Sequence, residues 1–354
     1  MSAFPDPHVV ASPPVHFLAL DGLRGVAALA VLVLHLPPLS GLVFHGYLAV
    51  DLFFIMSGFV VAHAYERRLL GGWPLEAFIR TRVVRLWPLY LLGTAIGAGV
   101  FATVAGDAEG FAALAVLIAA AVFLIPLPLG PDVQVFDLNR PAWSLFFEMV
   151  ANLVYAASAA RLTNRVLAIV AAIGAAALAV CVLTAGTGSL GHHGASMAGG
   201  AARIAFGFPV GVLLYRAHCA GRLRLRVPAP LLFGLFLALL ALPDLNGWNG
   251  AIDLVIVVAA FPVLVAAGAT ARVSERTGRF CVFVAALSYP LYILHGPILM
   301  GFGQLFGETP GPVLAGGVVS LLAAWIAGRW YDAPARAALA NLLARRRPAP
   351  EAAI

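Results

Sequence analysis

Four groups of residues in this sequence have types and spacings that suit chemistry. The first is Arg24 and His35, ten residues apart inside the otherwise apolar stretch from Ala19 to His35. On an α-helix, eleven steps of about 100° return to within about 20° of the start, so both side chains share one face roughly 16 Å apart. A histidine facing a cavity, with its near-neutral pKa, is a natural general base. An arginine in the first turn, beside unpaired backbone N–H groups, suits a phosphate or another anion. Asp21, just ahead of it, stands where it can cap the helix. The plainer reading is an ordinary cap, with Arg24 snorkelling to lipid headgroups.

The second group is carboxylate. Asp51, in the run from Gly46 to Gly58, is expected at the depth of His35 on an antiparallel neighbour. There a carboxylate would orient the ring and stabilise imidazolium; whatever its role, a charge at that depth needs a partner. Glu148 lies one turn after Ser144 and is expected near the same level, as an alternative base or a ligand for an acceptor hydroxyl. A hydrogen-bonded structural carboxylate is the alternative. The third group, Arg82 and Arg85, shares a face of the stretch from Pro74 to Arg85, which reads as an amphipathic interfacial helix. The pair suits a bidentate phosphate clamp or, equally, a topology anchor on anionic lipid. The fourth is Ser288, Tyr292 and His295, on one stripe at i, i+4 and i+7. Its tyrosine and its neighbour Tyr289 suit a sugar-sized pocket or interfacial anchoring.

The elements that must position these groups are membrane spans. Of 354 residues, 62% are hydrophobic and 11% charged, with mean hydropathy +0.96. Soluble domains carry about 25% charged residues, so the chain reads as an all-α, polytopic integral membrane bundle. The formal charge of +6 comes with no lysine at all. The arginines cluster between apolar runs, which points to topology and membrane lipid rather than nucleic acid.

Apolar runs fall near 18–36, 46–65, 86–105, 111–129, 142–160, 166–185, 201–218, 229–243, 251–269, 281–304 and 312–330. Placing every arginine-rich connector in the cytoplasm leaves three runs between Arg85 and Arg161, where parity allows two crossings. The run 111–129, ending in Pro126-Leu-Pro128, is expected to re-enter or lie against the bundle. About ten transmembrane helices result, with both termini cytoplasmic. Residues 1–16 read as a disordered tail, 17–336 as one membrane domain, and 337–354 as a basic cytoplasmic tail. Cys181, Cys219 and Cys281 have no metal spacing and read as buried thiols. His192-His193 reads as solvated in an outer loop, and Asp253 as a helix cap.

Six stretches in order resemble the bacterial membrane-bound acyltransferase family 3, from Leu20 to about Arg336. They are Leu-Asp-Gly-Leu-Arg-Gly at 20–25, the Arg24–His35 spacing, and Gly-Tyr-Leu-Ala-Val-Asp-Leu-Phe-Phe-Ile-Met-Ser-Gly-Phe at 46–59. The others are Arg82-Val-Val-Arg85 with Leu-Trp-Pro-Leu-Tyr, Trp-Ser-Leu-Phe-Phe-Glu at 143–148, and Ser-Tyr-Pro-Leu-Tyr-Ile-Leu-His at 288–295. Asp332 stands where the family pattern leads one to expect glutamate. These residues include no SGNH-type esterase domain, so a stand-alone type is expected.

The resemblance implies an O-acyltransferase of the bacterial inner membrane. It would move an acyl group, usually acetyl from acetyl-CoA, to a hydroxyl of a cell-surface glycan, glycolipid or small glycoside, with no metal. His35 matches the family's essential histidine, and Arg24, Arg82 and Arg85 match positions linked to the acyl-CoA donor. The expected catalytic residues are His35, Asp51 and Glu148, with Ser144, Tyr292 and His295 on the acceptor. Acyl-CoA would dock at the cytoplasmic face, its arm running from Arg24 toward His35, which acts as a base or forms an acyl-histidine. A transporter or flippase of an acyl donor or glycolipid is the rival class.

Overall fold

A computed structural model describes residues 17–345. The tail expected over residues 1–16 lies outside them, as do residues 346–354. Thirteen α-helices are described: α1 (Leu18–Leu34), α2 (Ala49–Leu70), α3 (Leu75–Ala102), α4 (Ala108–Val122), α5 (Ala142–Ser158), α6 (Asn164–Ala185) and α7 (Met197–Cys219). They continue as α8 (Ala229–Leu240), α9 (Asn249–Val255), α10 (Phe261–Gly268), α11 (Glu275–Phe306), α12 (Pro310–Ile326) and α13 (Asp332–Arg345). A helix satisfies every backbone group within itself, which lipid demands. Eight helical segments are long and apolar enough to cross a membrane: α2, α3, α5, α6, α7, the α9–α10 unit, α11 and the α12–α13 unit. Helix α1, with 17 residues, and α8, with 12, lie alongside them and complete ten segments that alternate between the two ends.

Contacts at the connectors define the ends. At one, Phe17 packs edge-on against His63 and His218, while Arg216 holds Glu66 and the Leu162 carbonyl. At the other, the His45 amide donates to the Leu240 carbonyl and that of Val135 to His192. The arginine-rich connectors lie at the first end, where α1 starts and α13 finishes. As expected, the described chain begins and ends on the arginine side, though eight segments rather than about ten are long and apolar enough to cross.

The run 111–129 behaves as parity required. Helix α3 ends and α5 begins at the same end, so everything between enters and leaves there. Helix α4 descends until the Val122 and Ala121 carbonyls meet the Trp87 and Tyr90 side chains, halfway along α3. Leu124, at φ +56°, turns the chain, which then returns without regular structure.

Two expectations are corrected. The stretch from Pro74 to Arg85 is no separate interfacial helix; it forms the first turns of α3, which runs through Pro88 without a break. A proline inside a helix removes one backbone bond, and here the Tyr289 and Tyr331 hydroxyls donate to the Leu86 and Pro88 carbonyls around it. Likewise α12 does not stop near residue 330. It passes through a π-helical turn at Ala327–Tyr331 into α13, which takes in the expected tail as far as Arg345.

Helices α2 and α7 cross at glycines. A Cβ on Gly58 would lie 2.0 Å from the Phe208 carbonyl oxygen, and one on Gly211 1.9 Å from that of Ile55. Backbone cannot yield as a side chain tip can, so Gly211→Val is expected to cost at least about 1–3 kcal/mol, read as a lower Tm in detergent.

Candidate functional site

Two cavities open inside the bundle. The first, of about 390 Å³, is lined by Arg24, Arg82, Arg85 and Arg336 together with Ser57, Glu148, Ser288 and Asp332. The second, of about 770 Å³, is lined by His35, His295, Tyr47, Gln134, Arg140, Trp143, His192, Arg203, Gln304 and Glu308. Helix α1 touches both. Its stripe presents Arg24 to one cavity and His35 to the other, as the eleven-residue offset demands.

In the first cavity, Arg24 donates from Nη2 to Asp21 at 3.0 Å and from Nε to the Ser288 hydroxyl at 3.2 Å. Asp21 is therefore Arg24's partner rather than a cap; α1 starts after Phe17 with no side-chain cap at all. Arg82 is buried and donates to Glu148 at 2.7 Å. Glu148 also accepts from Ser57 at 3.0 Å. Arg85 lines the cavity, and its side chain has no hydrogen bond or ion pair among the described residues, while Arg336 pairs with Asp332 at the start of α13. Four guanidinium groups there face three carboxylates, an excess of positive charge that suits an anion.

The second cavity has a different character. His35 follows the last turn of α1, its Nδ1 at 2.8 Å from the Val31 carbonyl oxygen. A carbonyl only accepts, so Nδ1 carries the proton and Nε2 keeps its lone pair. His295 is set the same way, Nδ1 at 3.1 Å from the Leu291 carbonyl, with its ring centroid 5.0 Å from that of His35. Two imidazoles with free Nε2 lone pairs thus lie together. Burial pushes the His192 ring down to about 4, so it stays neutral above that pH.

The expected carboxylate partners of His35 lie elsewhere. Asp51 is fully engaged by Arg203, which donates from Nε at 2.9 Å and from Nη2 at 2.7 Å. Both residues are 2% exposed, and Arg203 spends its remaining donors on the Leu190 and Tyr47 carbonyls. Two such charges are stable inside a bundle only as a pair, which is why Asp51 is drawn to α7 and not to the imidazole. Glu148 is drawn to Arg82 for the same reason, on the side of the arginine cavity. The backbone carbonyl of Val31 orients His35 instead.

Of the residues expected on the acceptor, Tyr292 and His295 line the cavity of His35, whereas Ser144, whose hydroxyl lies 2.7 Å from that of Tyr292, lines the arginine cavity. Asp253 is no cap: it is buried in α9, where it accepts from His45 Nδ1 at 2.6 Å, Tyr47 at 2.8 Å and the Gly188 amide at 2.7 Å. His192 lines the cavity rather than standing in solvent, and the His193 ring meets the Gln134 amide at 2.9 Å. Cys219 is exposed rather than buried, and the cysteines are free. Among the described residues no cluster of three metal-ligating side chains occurs.

Arg203, Arg140, Arg336 and Gln134 were not singled out by sequence pattern. Of these only Arg203 carried a signal, as an arginine inside an apolar run.

The fold and its two cavities define a polytopic membrane protein that can hold an anionic ligand at one end of a helix and present a basic nitrogen at the other. The chain belongs to the acyltransferase domain family, acyltransferase 3, whose pattern matches residues 17–329, and it is accordingly an acyltransferase. Over 183 residues, 48% of this chain and 96% of the relative, it is 39% identical to "Protein 2 in picA locus" of Rhizobium radiobacter. No solved structure matches it.

Proposed function

We propose that the protein moves an acyl group, acetyl in the simplest case, from acyl-CoA to a hydroxyl of a cell-surface or exported carbohydrate or glycoside. The arginine end faces the cytoplasm of a bacterial inner membrane, in keeping with the positive-inside rule. One observation carries the reading: a single helix supplies Arg24 to an arginine-lined cavity and His35 to a separate cavity lined by polar and aromatic groups. Arginine forks match the phosphates of a nucleotide thioester. Indole, amide, carboxylate and imidazole groups are what a sugar ring meets in a binding site.

In the reaction, His35 Nε2 takes the proton of the acceptor hydroxyl as its oxygen attacks the thioester carbonyl. The carbon–sulfur bond breaks, the acyl group stays on oxygen, and the CoA thiolate leaves to be protonated. The Val31 carbonyl, bonded to Nδ1–H, holds the ring in the tautomer this requires.

Arg85 offers a donor-side test. Loss of one charge-assisted contact to phosphate costs about 1.5–3 kcal/mol, so Arg85→Ala is expected to raise the KM for acyl-CoA by about tenfold or more with a smaller change in kcat. An unchanged KM removes Arg85 from the donor site. The overall reading is tested by mass spectrometry of the glycans and glycolipids of a strain lacking the protein. An acyl ester present in the parent should be missing, return with the wild-type chain, and fail to return with His35→Ala. Identical glycans in all strains would sink it.

A further inference from the structure

Transfer between the two cavities requires the thioester to leave one and reach the other, and a side chain stands in the way. Tyr292 is the one residue that lines both cavities among the described residues. Phe53, on the arginine side, meets the Tyr292 ring edge-on with centroids 5.4 Å apart. Phe54, on the same side, meets Trp143 of the histidine side edge-on at 6.3 Å. Four aromatic rings therefore make a partition across the route from Arg24 to His35.

The partition is latched on one side and loosened on the other. The Ser144 hydroxyl donates to the Pro141 carbonyl at 3.2 Å, which leaves its oxygen to accept from the Tyr292 hydroxyl at 2.7 Å. That bond ties α11 to the first turn of α5. Along α11, Tyr292 lies between Pro290 and Pro297, both inside the helix. Each proline removes the bond to the carbonyl four residues earlier, so the segment that carries Tyr292 and His295 has weaker ties to its own helix than the turns around it.

We propose that Tyr292, latched to Ser144, is the gate between the donor and acceptor cavities. It shuts them from each other at rest and swings aside as the acyl arm passes, and the room left by its ring sets how bulky an acyl group crosses. The proposal rests on the donor and acceptor reading given above. Tyr292 is a positioning and selectivity residue: it takes no proton and forms no bond to the acyl group. A closed gate also keeps water of the acceptor cavity away from the thioester while the donor waits.

The test measures access without turnover. Cys181, Cys219 and Cys281 are replaced by alanine, Ser57 in the arginine cavity is changed to cysteine, and the protein is placed in liposomes. A small, charged methanethiosulfonate is then added to one side at a time. With Tyr292 present, modification is expected from the arginine side only. Tyr292→Ala should open the position to reagent from the histidine side, and Tyr292→Phe, which keeps the ring and loses the latch, should give an intermediate rate. Normal modification from the arginine side shows that each variant is folded. Equal access from both sides with Tyr292 in place, or no access from the histidine side in Tyr292→Ala, overturns the gate.

A second readout concerns selectivity. In Tyr292→Ala the ratio of hexanoyl to acetyl transfer should rise by about tenfold or more, since accommodating even one further methylene is worth about that factor; an unchanged ratio overturns the size filter. The labelling result does not depend on the acceptor, so the gate and the proposed reaction fail separately.

Discussion

Replacing His35 with alanine is expected to lower acyl transfer by about 10²–10⁴-fold while leaving acyl-CoA binding and the unfolding temperature unchanged. The magnitude is what a positioned base contributes when its proton has no other destination. The specificity of the effect comes from where the ring sits. His35 follows the last turn of α1, is exposed to its cavity, and among the described residues its ring makes one hydrogen bond, to a carbonyl of its own helix. Its removal opens no core cavity and strands no buried charge, so stability has little reason to change. His295, 5.0 Å away between ring centroids, remains as a second imidazole. It is fully buried, however, and its Nε2 has no partner among the described residues, so it is poorly placed to meet an acceptor alone. Purified variants assayed for labelled acyl transfer, donor affinity and Tm check all three expectations. Transfer near the wild-type rate would remove His35 from the chemistry.

The second large effect is structural. Asp51→Ala is expected to destabilise the bundle by about 3–5 kcal/mol, because it leaves the Arg203 guanidinium buried without a counter-charge. Arg203 would keep its bonds to the Leu190 and Tyr47 carbonyls, but neither neutralises it. Arg203→Ala should be similarly costly, since it abandons the Asp51 carboxylate in the same apolar surroundings. The double change Asp51→Leu with Arg203→Leu is expected to recover part of the loss, because the desolvation penalty disappears with the pair. Denaturation midpoints in detergent give the order: either single variant lowest, the double variant between them and wild type. A single Asp51→Ala variant as stable as wild type, yet inactive, would restore the direct role beside His35 that the geometry denies it.

What could be read from the sequence is what depends on local periodicity and on counting. The Arg24–His35 stripe follows from helical geometry alone, and both side chains do face cavities. That one of the three runs after Arg85 does not cross follows from the parity of arginine-rich connectors, and Pro126-Leu-Pro128 marks 111–129 as the one that re-enters or lies against the bundle. What escaped depends on long-range pairing. Asp51 and Glu148 were recognised as buried carboxylates that need partners, but nearby histidine was the partner within reach of pattern. Their real partners, Arg203 and Arg82, are 152 and 66 residues away along the chain. A guanidinium brings a full charge, and in Arg203 two bonds to Asp51, where an imidazole offers one bond and a conditional charge, so the arginines win.

His192 escaped for the opposite reason. Two histidines in a glycine-rich loop look solvated, and only the returning chain after α4, with Gln134 beside His193, closes the cavity over them. The stretch from Pro74 to Arg85 misled as well. Its amphipathic pattern reads as a separate interfacial helix, whereas it forms the first turns of α3, and the tyrosine hydroxyls of α11 and of the π turn meet the carbonyls beside Pro88.

The central claim is that donor and acceptor meet from opposite ends of one bundle, with the acyl group delivered at His35. Sealed membrane vesicles of both orientations, prepared from cells making the protein and given labelled acetyl-CoA on the outside only, test it most directly. Label should enter the carbohydrate or glycolipid fraction in inside-out vesicles, where the arginine end faces the medium, and should be absent from right-side-out vesicles and from those carrying His35→Ala. Equal incorporation in both orientations, or incorporation that survives the loss of His35, would contradict the account.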